Sequence, residues 1–315
     1  MGKGRGKVIL LGEHAVVYGR PALALGIERG AWAEASPASS EGCTMHVAGW
    51  GIDVGEEGDQ MLARSFGAVV RATRADGKLG APVRVRAETD LPPGGGLGCS
   101  AALGVAVARA LDPGASSAKI QARVMEWERV FHGNPSGIDG AVATTGGCIL
   151  FRKGRPVEPI RARTPLHLAI GHSGIASSTK SMVESVAKQM QRNPAAVEKA
   201  WDGVEALVQN ASAALMSGDV DGLGRLLDMN QMILAGLLLS TPEIEEMCQL
   251  ARGAGAFGAK LTGAGGGGCV VALVHDVDVA DRVIAAWSQR GYTGFHARLA
   301  EPLPAEPSHP TEVSA

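Results

Sequence analysis

Four groups of residues have types and spacings that suit chemistry on a phosphate and a hydroxyl. The first is Gly94-Gly95-Gly96-Leu97-Gly98-Cys99-Ser100, which runs straight into an Ala/Leu/Val-rich stretch. Glycines let a backbone fold closely round an anion, and a helix start adds unpaired N–H groups and partial positive charge. No Gly-Lys-Ser/Thr follows, so this is not a Walker loop. Pro92-Pro93 stand where a strand would lead directly into a dinucleotide-binding turn, so that reading fits poorly too. The second is Lys7 inside Gly6-Lys7-Val8-Ile9-Leu10-Leu11-Gly12, followed by Glu13-His14. A lysine in an apolar strand must snorkel out or meet a carboxylate. The third is Glu128 with Asp139 eleven residues later, across a Pro/Gly turn. Two acids brought together by one turn suit a divalent cation and an oriented hydroxyl. The spacing equally allows Glu128 to pair with Arg123 or Arg129 while Asp139 caps a helix. The fourth, Gly263-Ala264-Gly265-Gly266-Gly267-Gly268, reads either as a turn between strands or as a loop closing on a ligand.

The elements that must position these groups follow from patterning. Strands are expected at 6–12, 22–27, 83–87, 148–152, 166–170, 258–261, 269–274 and 294–299. Helices are expected at 100–111, from 116 or 117 to about 132, and from about 138 to the Gly146-Gly147 pair. A core stripe of Val124, Trp127 and Phe131 marks the second of these. The second half changes character, with three or four amphipathic helices. One opens at Asn193-Pro194, carries Val197, Trp201, Val204 and Val208 on one face, and ends at Gly218. Another opens at Thr241-Pro242-Glu243, and a last helix covers 277–289. This order predicts an α+β chain of two domains, 1–160 and 161–300. The tail 301–315, with four prolines, is expected to be disordered.

Composition closes other routes. The chain has 315 residues, 45% of them hydrophobic, and a net charge of −2, with no basic surplus for a nucleic-acid footprint. No apolar run approaches the ~18 residues of a membrane span, and the run after Lys7 is too short for a signal-peptide core. Five cysteines without a CxxC pair argue against a disulfide framework and for a reducing, cytoplasmic setting.

Taken together, these segments resemble the three motifs of the GHMP kinases, a superfamily that includes galactokinases, homoserine kinases and mevalonate kinases. The first motif spans Gly6 to Gly19 and the second runs from Pro92 through Gly96-Leu97-Gly98-Cys99-Ser100-Ala101-Ala102. The third runs from Lys260-Leu261-Thr262 to Cys269. Gly12-Glu13-His14-Ala15-Val16-Val17-Tyr18-Gly19 and His132-Gly133-Asn134-Pro135-Ser136-Gly137-Ile138-Asp139 are similar to the mevalonate kinase family within it.

The resemblance implies a two-domain fold with the active site in the interdomain cleft. It implies ATP-dependent phosphorylation of the primary hydroxyl of mevalonate to 5-phosphomevalonate, in isoprenoid precursor synthesis. Asp139 would take or orient the hydroxyl proton, with Lys7 beside it. Pro92, Gly94, Gly95, Gly96, Leu97, Gly98, Cys99, Ser100 and Ala101 would wrap the ATP phosphates, closed over by Gly265 and Gly266. Ser100 and Glu128 would hold Mg²⁺, and Glu13, His14 and Thr179 would hold mevalonate. A homodimer is compatible with the family. Two alternatives stand beside this reading: a GHMP kinase for phosphomevalonate or another small alcohol, and a nucleotide-binding regulator without catalysis. The presence of Lys7, Ser100, Glu128 and Asp139 argues against the regulator. Cys99 departs from the family, which usually has Ser there. Its backbone N–H remains, but a hydroxyl hydrogen bond is lost.

Overall fold

A computed structural model describes residues 1–303 except Ser40, Pro93 and Asn134. Residues 304–315, most of the expected disordered tail, lie outside the described residues, as do Pro93 and Asn134 of the motifs.

The chain opens with β1 (Gly2–Leu11), a 3₁₀ turn (Ala15–Tyr18) and β2 (Ala22–Pro37). After β3 (Thr44–Val47), β4 (Ile52–Gly55), α1 (Met61–Ala75) and β5 (Val83–Thr89), three helices follow: α2 (Cys99–Leu111), α3 (Ser117–His132) and α4 (Ile138–Thr145). Next come β6 (Cys148–Phe151), β7 (Glu158–Ile160) and β8 (His167–His172). Four helices then run consecutively: α5 (Thr179–Arg192), α6 (Pro194–Ser217), α7 (Val220–Gly236) and α8 (Pro242–Gly253). The described chain closes with β9 (Gly258–Thr262), β10 (Cys269–Val274), α9 (Val277–Ser288) and β11 (Thr293–Arg298).

Two sheets organise these elements. The first has seven strands, ordered β4-β3-β5-β2-β6-β7, with β1 along the other edge of β2. Only β3 and β5 pair in parallel in it. The second is a four-stranded antiparallel sheet, β11-β8-β10-β9.

The opening strand is longer than its apolar run because its glycines face a helix. A Cβ on Gly2 or Gly4 would lie 2.1 Å from the carbonyl oxygens of Ala106 or Ala102 on α2. Backbone therefore packs on backbone, and the start of α2 is fixed over β1. Strand β2 also runs well past residue 27. Glu28 and Arg29 bulge out of its pairing with β1, so the alternation breaks there without ending the strand. Strands β3, β4 and β7 and helix α1 carry no signal strong enough to announce them. Helix α1 starts without a side-chain cap and has Gly67 mid-helix.

The two sheets are tied where β9 meets β1. The Thr262 hydroxyl accepts from the Ile9 N–H at 3.1 Å and donates to the Ile9 carbonyl at 3.2 Å. One side chain thus satisfies both backbone groups of a buried residue on an edge that no strand pairs. At the far end Ala300 N–H donates to Gly26 O (2.8 Å) and Leu303 N–H to Thr145 O (2.8 Å), so the chain's return stitches the halves again. Thr262→Val keeps the shape but strands two buried backbone groups, at ~1–3 kcal/mol each before relaxation. Thermal melting should show Thr262→Val several degrees below the parent and Thr262→Ser close to it; equal melting of all three would remove this tie.

Candidate active site

Lys7 sits in the middle of β1, 3% exposed. Its backbone N–H donates to Leu97 O at 2.9 Å. Its side chain runs beneath Gly98, where a Cβ would come within 2.8 Å of Lys7 Cγ. Gly98 (φ +71°) is the N-cap of α2, and Gly94 and Gly96 share its left-handed backbone (φ +73° each). The first turn of α2 contains no acid and receives no side-chain cap, so its leading amides remain available to an anion. The glycine loop, the helix start and the buried lysine stem are therefore one construction.

The ammonium of Lys7 meets Asp139 Oδ1 at 3.1 Å. Asp139 lies in the first turn of α4, after the left-handed Gly137 cap, where the helix end favours its negative charge. Beside this pair, Ser100 Oγ donates to Glu128 Oε1 at 2.6 Å and accepts from the Trp127 indole at 3.0 Å. Arg123 is committed to Asp76 and Asp112, and Arg129 to Glu126, so neither takes Glu128. Burial, helped by the nearby Asp139 carboxylate, pushes Glu128 up to about 7. His132 Nε2 stands 3.5 Å from Glu128 Oε2, and burial lowers its pKa.

Ser100 and Glu128 present oxygen donors of the kind Mg²⁺ prefers, one of them a buried carboxylate short of positive charge. Among the described residues, no group of three or more His, Cys, Asp and Glu side chains is arranged to hold a metal ion by itself. Most of a cation's shell would therefore come from phosphate oxygens and water.

The second glycine loop faces the first. A Cβ on Gly263 would lie 3.3 Å from Gly96 Cα, and one on Gly96 3.2 Å from Thr262 O. Gly94, Gly95, Gly96, Gly265 and Thr179 line a small open cleft between the loops, with Thr179 exposed at the start of α5. His14, itself at φ +59°, has Nε2 2.8 Å from Ala264 O. A carbonyl only accepts, so Nε2 carries the proton, and burial favours the neutral ring. Glu13 is placed differently from Thr179. It is fully buried in an ion pair with Lys260, and its Oε2 accepts from Asn230 Nδ2 at 3.3 Å. Cys99 turns its thiol inward, 3.7 Å from Thr89 Oγ1 and 3.8 Å from Leu91 O. Burial raises its pKa, leaving only its backbone N–H for the loop mouth.

Sequence reasoning left Lys260, Asn230 and Thr262 without roles and read Trp127 only as core. The Glu128–His132 contact follows the i, i+4 spacing and was accessible to it.

Because native Glu128 holds its proton up to about pH 7 while an unfolded glutamate releases it near 4.5, the native state binds more protons between those values. Stability of the unliganded protein must then fall as pH rises through that window. Glu128→Gln should melt like the parent near pH 4.5 and higher than it at pH 8, by the equivalent of ~1–3 kcal/mol. An offset independent of pH would contradict the buried, uncompensated carboxylate.

Comparison with known proteins gives the chain's family and fold. The GHMP kinases N terminal domain matches residues 63–147, and the GHMP kinases C terminal matches residues 211–293. The chain is 35% identical to the mevalonate kinase of Methanothermobacter thermautotrophicus over 288 residues, 89% of this chain and 91% of that protein. It is 32% identical to the mevalonate kinase of Aeropyrum pernix, covering 94% of each. The crystal structure of L. major mevalonate kinase in complex with R-mevalonate superposes with a TM-score of 0.81 at 30% identity, over 95% of this chain and 96% of that one. A two-domain α+β chain with a buried lysine–aspartate pair beside a glycine loop, and relatives matched over nearly its whole length, belongs to the mevalonate kinase family of the GHMP kinases.

Proposed function

We propose that this chain transfers the γ-phosphoryl group of ATP to the primary hydroxyl of mevalonate, giving 5-phosphomevalonate and ADP. The observation that carries the reading is the 3.1 Å Lys7–Asp139 pair set directly beside the uncapped start of α2. The relatives named as mevalonate kinases, one of them solved with R-mevalonate, supply the acceptor.

Phosphoryl transfer asks for alignment and charge neutralisation more than covalent chemistry. In this reading the N–H groups from Gly94 to Ala101 hold the ATP phosphates, after Pro92 turns the chain into the loop, and Gly265 and Gly266 close from the opposite side. Ser100 and Glu128 would hold Mg²⁺, which would supply positive charge to offset that of the phosphates. Asp139 takes the proton of the alcohol as its oxygen bonds to the γ-phosphorus and the bond to the ADP oxygen breaks. Lys7, paired with Asp139, stabilises negative charge as it develops on the transferring group. Glu13, His14 and Thr179 contribute to the acceptor side. Residues 1–160 form the nucleotide-binding domain and 161–300 its partner. Five buried free cysteines favour a reducing, cytoplasmic setting.

Purified protein with ATP, Mg²⁺ and mevalonate should produce a phosphomonoester and ADP in the phosphorus NMR spectrum. Asp139→Asn should fold and bind ATP like the parent and turn over ~10²–10⁴-fold more slowly, the range for losing a general base. Parent-like turnover in that variant would exclude Asp139 from the proton transfer.

A further inference from the structure

The loop after β9 carries glycine at 263 and at 265–268, every one at positive φ. A ribbon without side chains gives up much backbone freedom when it is ordered, so its shape depends on what grips it. Three backbone contacts do so. Gly266 N–H donates to Leu239 O (2.8 Å), Gly268 N–H to Ile175 O (2.9 Å) and Ser173 N–H to Gly268 O (2.9 Å). Two side chains add to them: His14 at Ala264 O, and Ser177, whose Oγ donates to Gly265 O at 2.5 Å. Ser177 is half-buried and lines the cleft between the two glycine loops, with Gly94, Gly95, Gly96 and Thr179. Its hydroxyl is not needed to start α5, because the next residue, Ser178, caps that helix by accepting from Ser181 N–H at 3.3 Å.

The Gly265 carbonyl and the Gly266 N–H belong to one planar trans peptide unit, so they point in opposite directions. The N–H end meets Leu239 in the turn between α7 and α8, and the carbonyl end meets Ser177 at the cleft. The unit is therefore held at both ends. The glycines that flank it, at φ +76° and +68°, leave it free to rotate once one end is released. We infer that Ser177 is a positioning residue for the phosphoryl donor: its hydroxyl occupies the Gly265 carbonyl and fixes the Gly265–Gly266 peptide where the second glycine loop faces the phosphates. The inference rests on the kinase reading above and deepens it, by assigning a side chain of the C-terminal half to the donor side. A carbonyl oxygen carries partial negative charge. Without the hydroxyl, an unpaired carbonyl dipole stands at the cleft that receives an anion, and the loop samples other peptide orientations. The Lys7–Asp139 pair, held by β1 and α4, is untouched by that change.

The test is calorimetric titration of the full chain with Mg²⁺ and a non-hydrolysable ATP analogue, together with steady-state kinetics for both substrates, on the parent, Ser177→Ala and Ser177→Thr. Thermal melting monitors folding. Ser177→Ala should bind the analogue about 3- to 10-fold more weakly, the range for losing one neutral hydrogen bond, and its KM for ATP should rise in step. Its KM for mevalonate should stay within about twofold of the parent value. Ser177→Thr keeps the hydroxyl and should recover most of the loss. A Ser177→Ala protein that melts like the parent and binds the analogue with the parent's affinity would overturn the inference, as would equal losses toward both substrates. A parent that binds the analogue but does not phosphorylate mevalonate overturns the functional reading alone, and the titration then still decides the role of Ser177. A parent that binds no analogue overturns both.

Discussion

A lysine ammonium in the middle of a buried strand must find an anion, and this requirement organises the site. Lys7 cannot reach bulk water from β1, so its charge is met by Asp139 at the start of α4. Meeting it there demands that α4 begin beside β1, which the Gly137 cap permits. It also demands that the lysine stem have room beneath the α2 entry, which only a glycine at position 98 leaves. A side chain at 98 would strike the stem, and an apolar residue at 7 would leave Asp139 without its cation. The ion pair and the phosphate-type loop are therefore two aspects of one packing solution.

The second half of the molecule enters through the same strand. Thr262 closes the open hydrogen-bonding positions at Ile9, and Lys260, two residues earlier on the same strand face, meets Glu13 just beyond the end of β1. The loop after β9 is thereby carried onto the loop before α2, glycine against glycine. Backbone atoms approach this closely only where side chains are absent, so the glycine runs serve contact between the halves as well as room for phosphate.

How far the sequence revealed this depends on the length scale of each signal. The helix starts at 117, 194 and 242 and the core stripe of α6 rest on local caps and periodicity, and their structures agree with the reading. The full lengths of β1 and β2 were hidden because Gly2 and Gly4 look like loop until α2 is seen packing on them, and because the Glu28–Arg29 bulge breaks the alternation. Among site residues, the Lys7–Asp139 meeting was expected from the family resemblance, whereas spacing alone left Asp139 between capping and chemistry. Spacing left Glu128 equally between an arginine partner and a cation, and only the fold removes both arginines. Lys260 and Asn230 could not be assigned to Glu13, because sequence separations of 247 and 217 residues carry no periodic signal.

The central claim is that the buried ammonium of residue 7, paired with Asp139, acts on the transferring phosphoryl group. The most direct measurement is the single-turnover rate of Lys7→Met, with ATP and mevalonate affinities measured separately by calorimetry. The account predicts that both substrates still bind and that the transfer step slows by about 10²–10³-fold, as for loss of a preorganised electrostatic donor. A transfer rate within a few-fold of the parent, with both substrates bound, would contradict it.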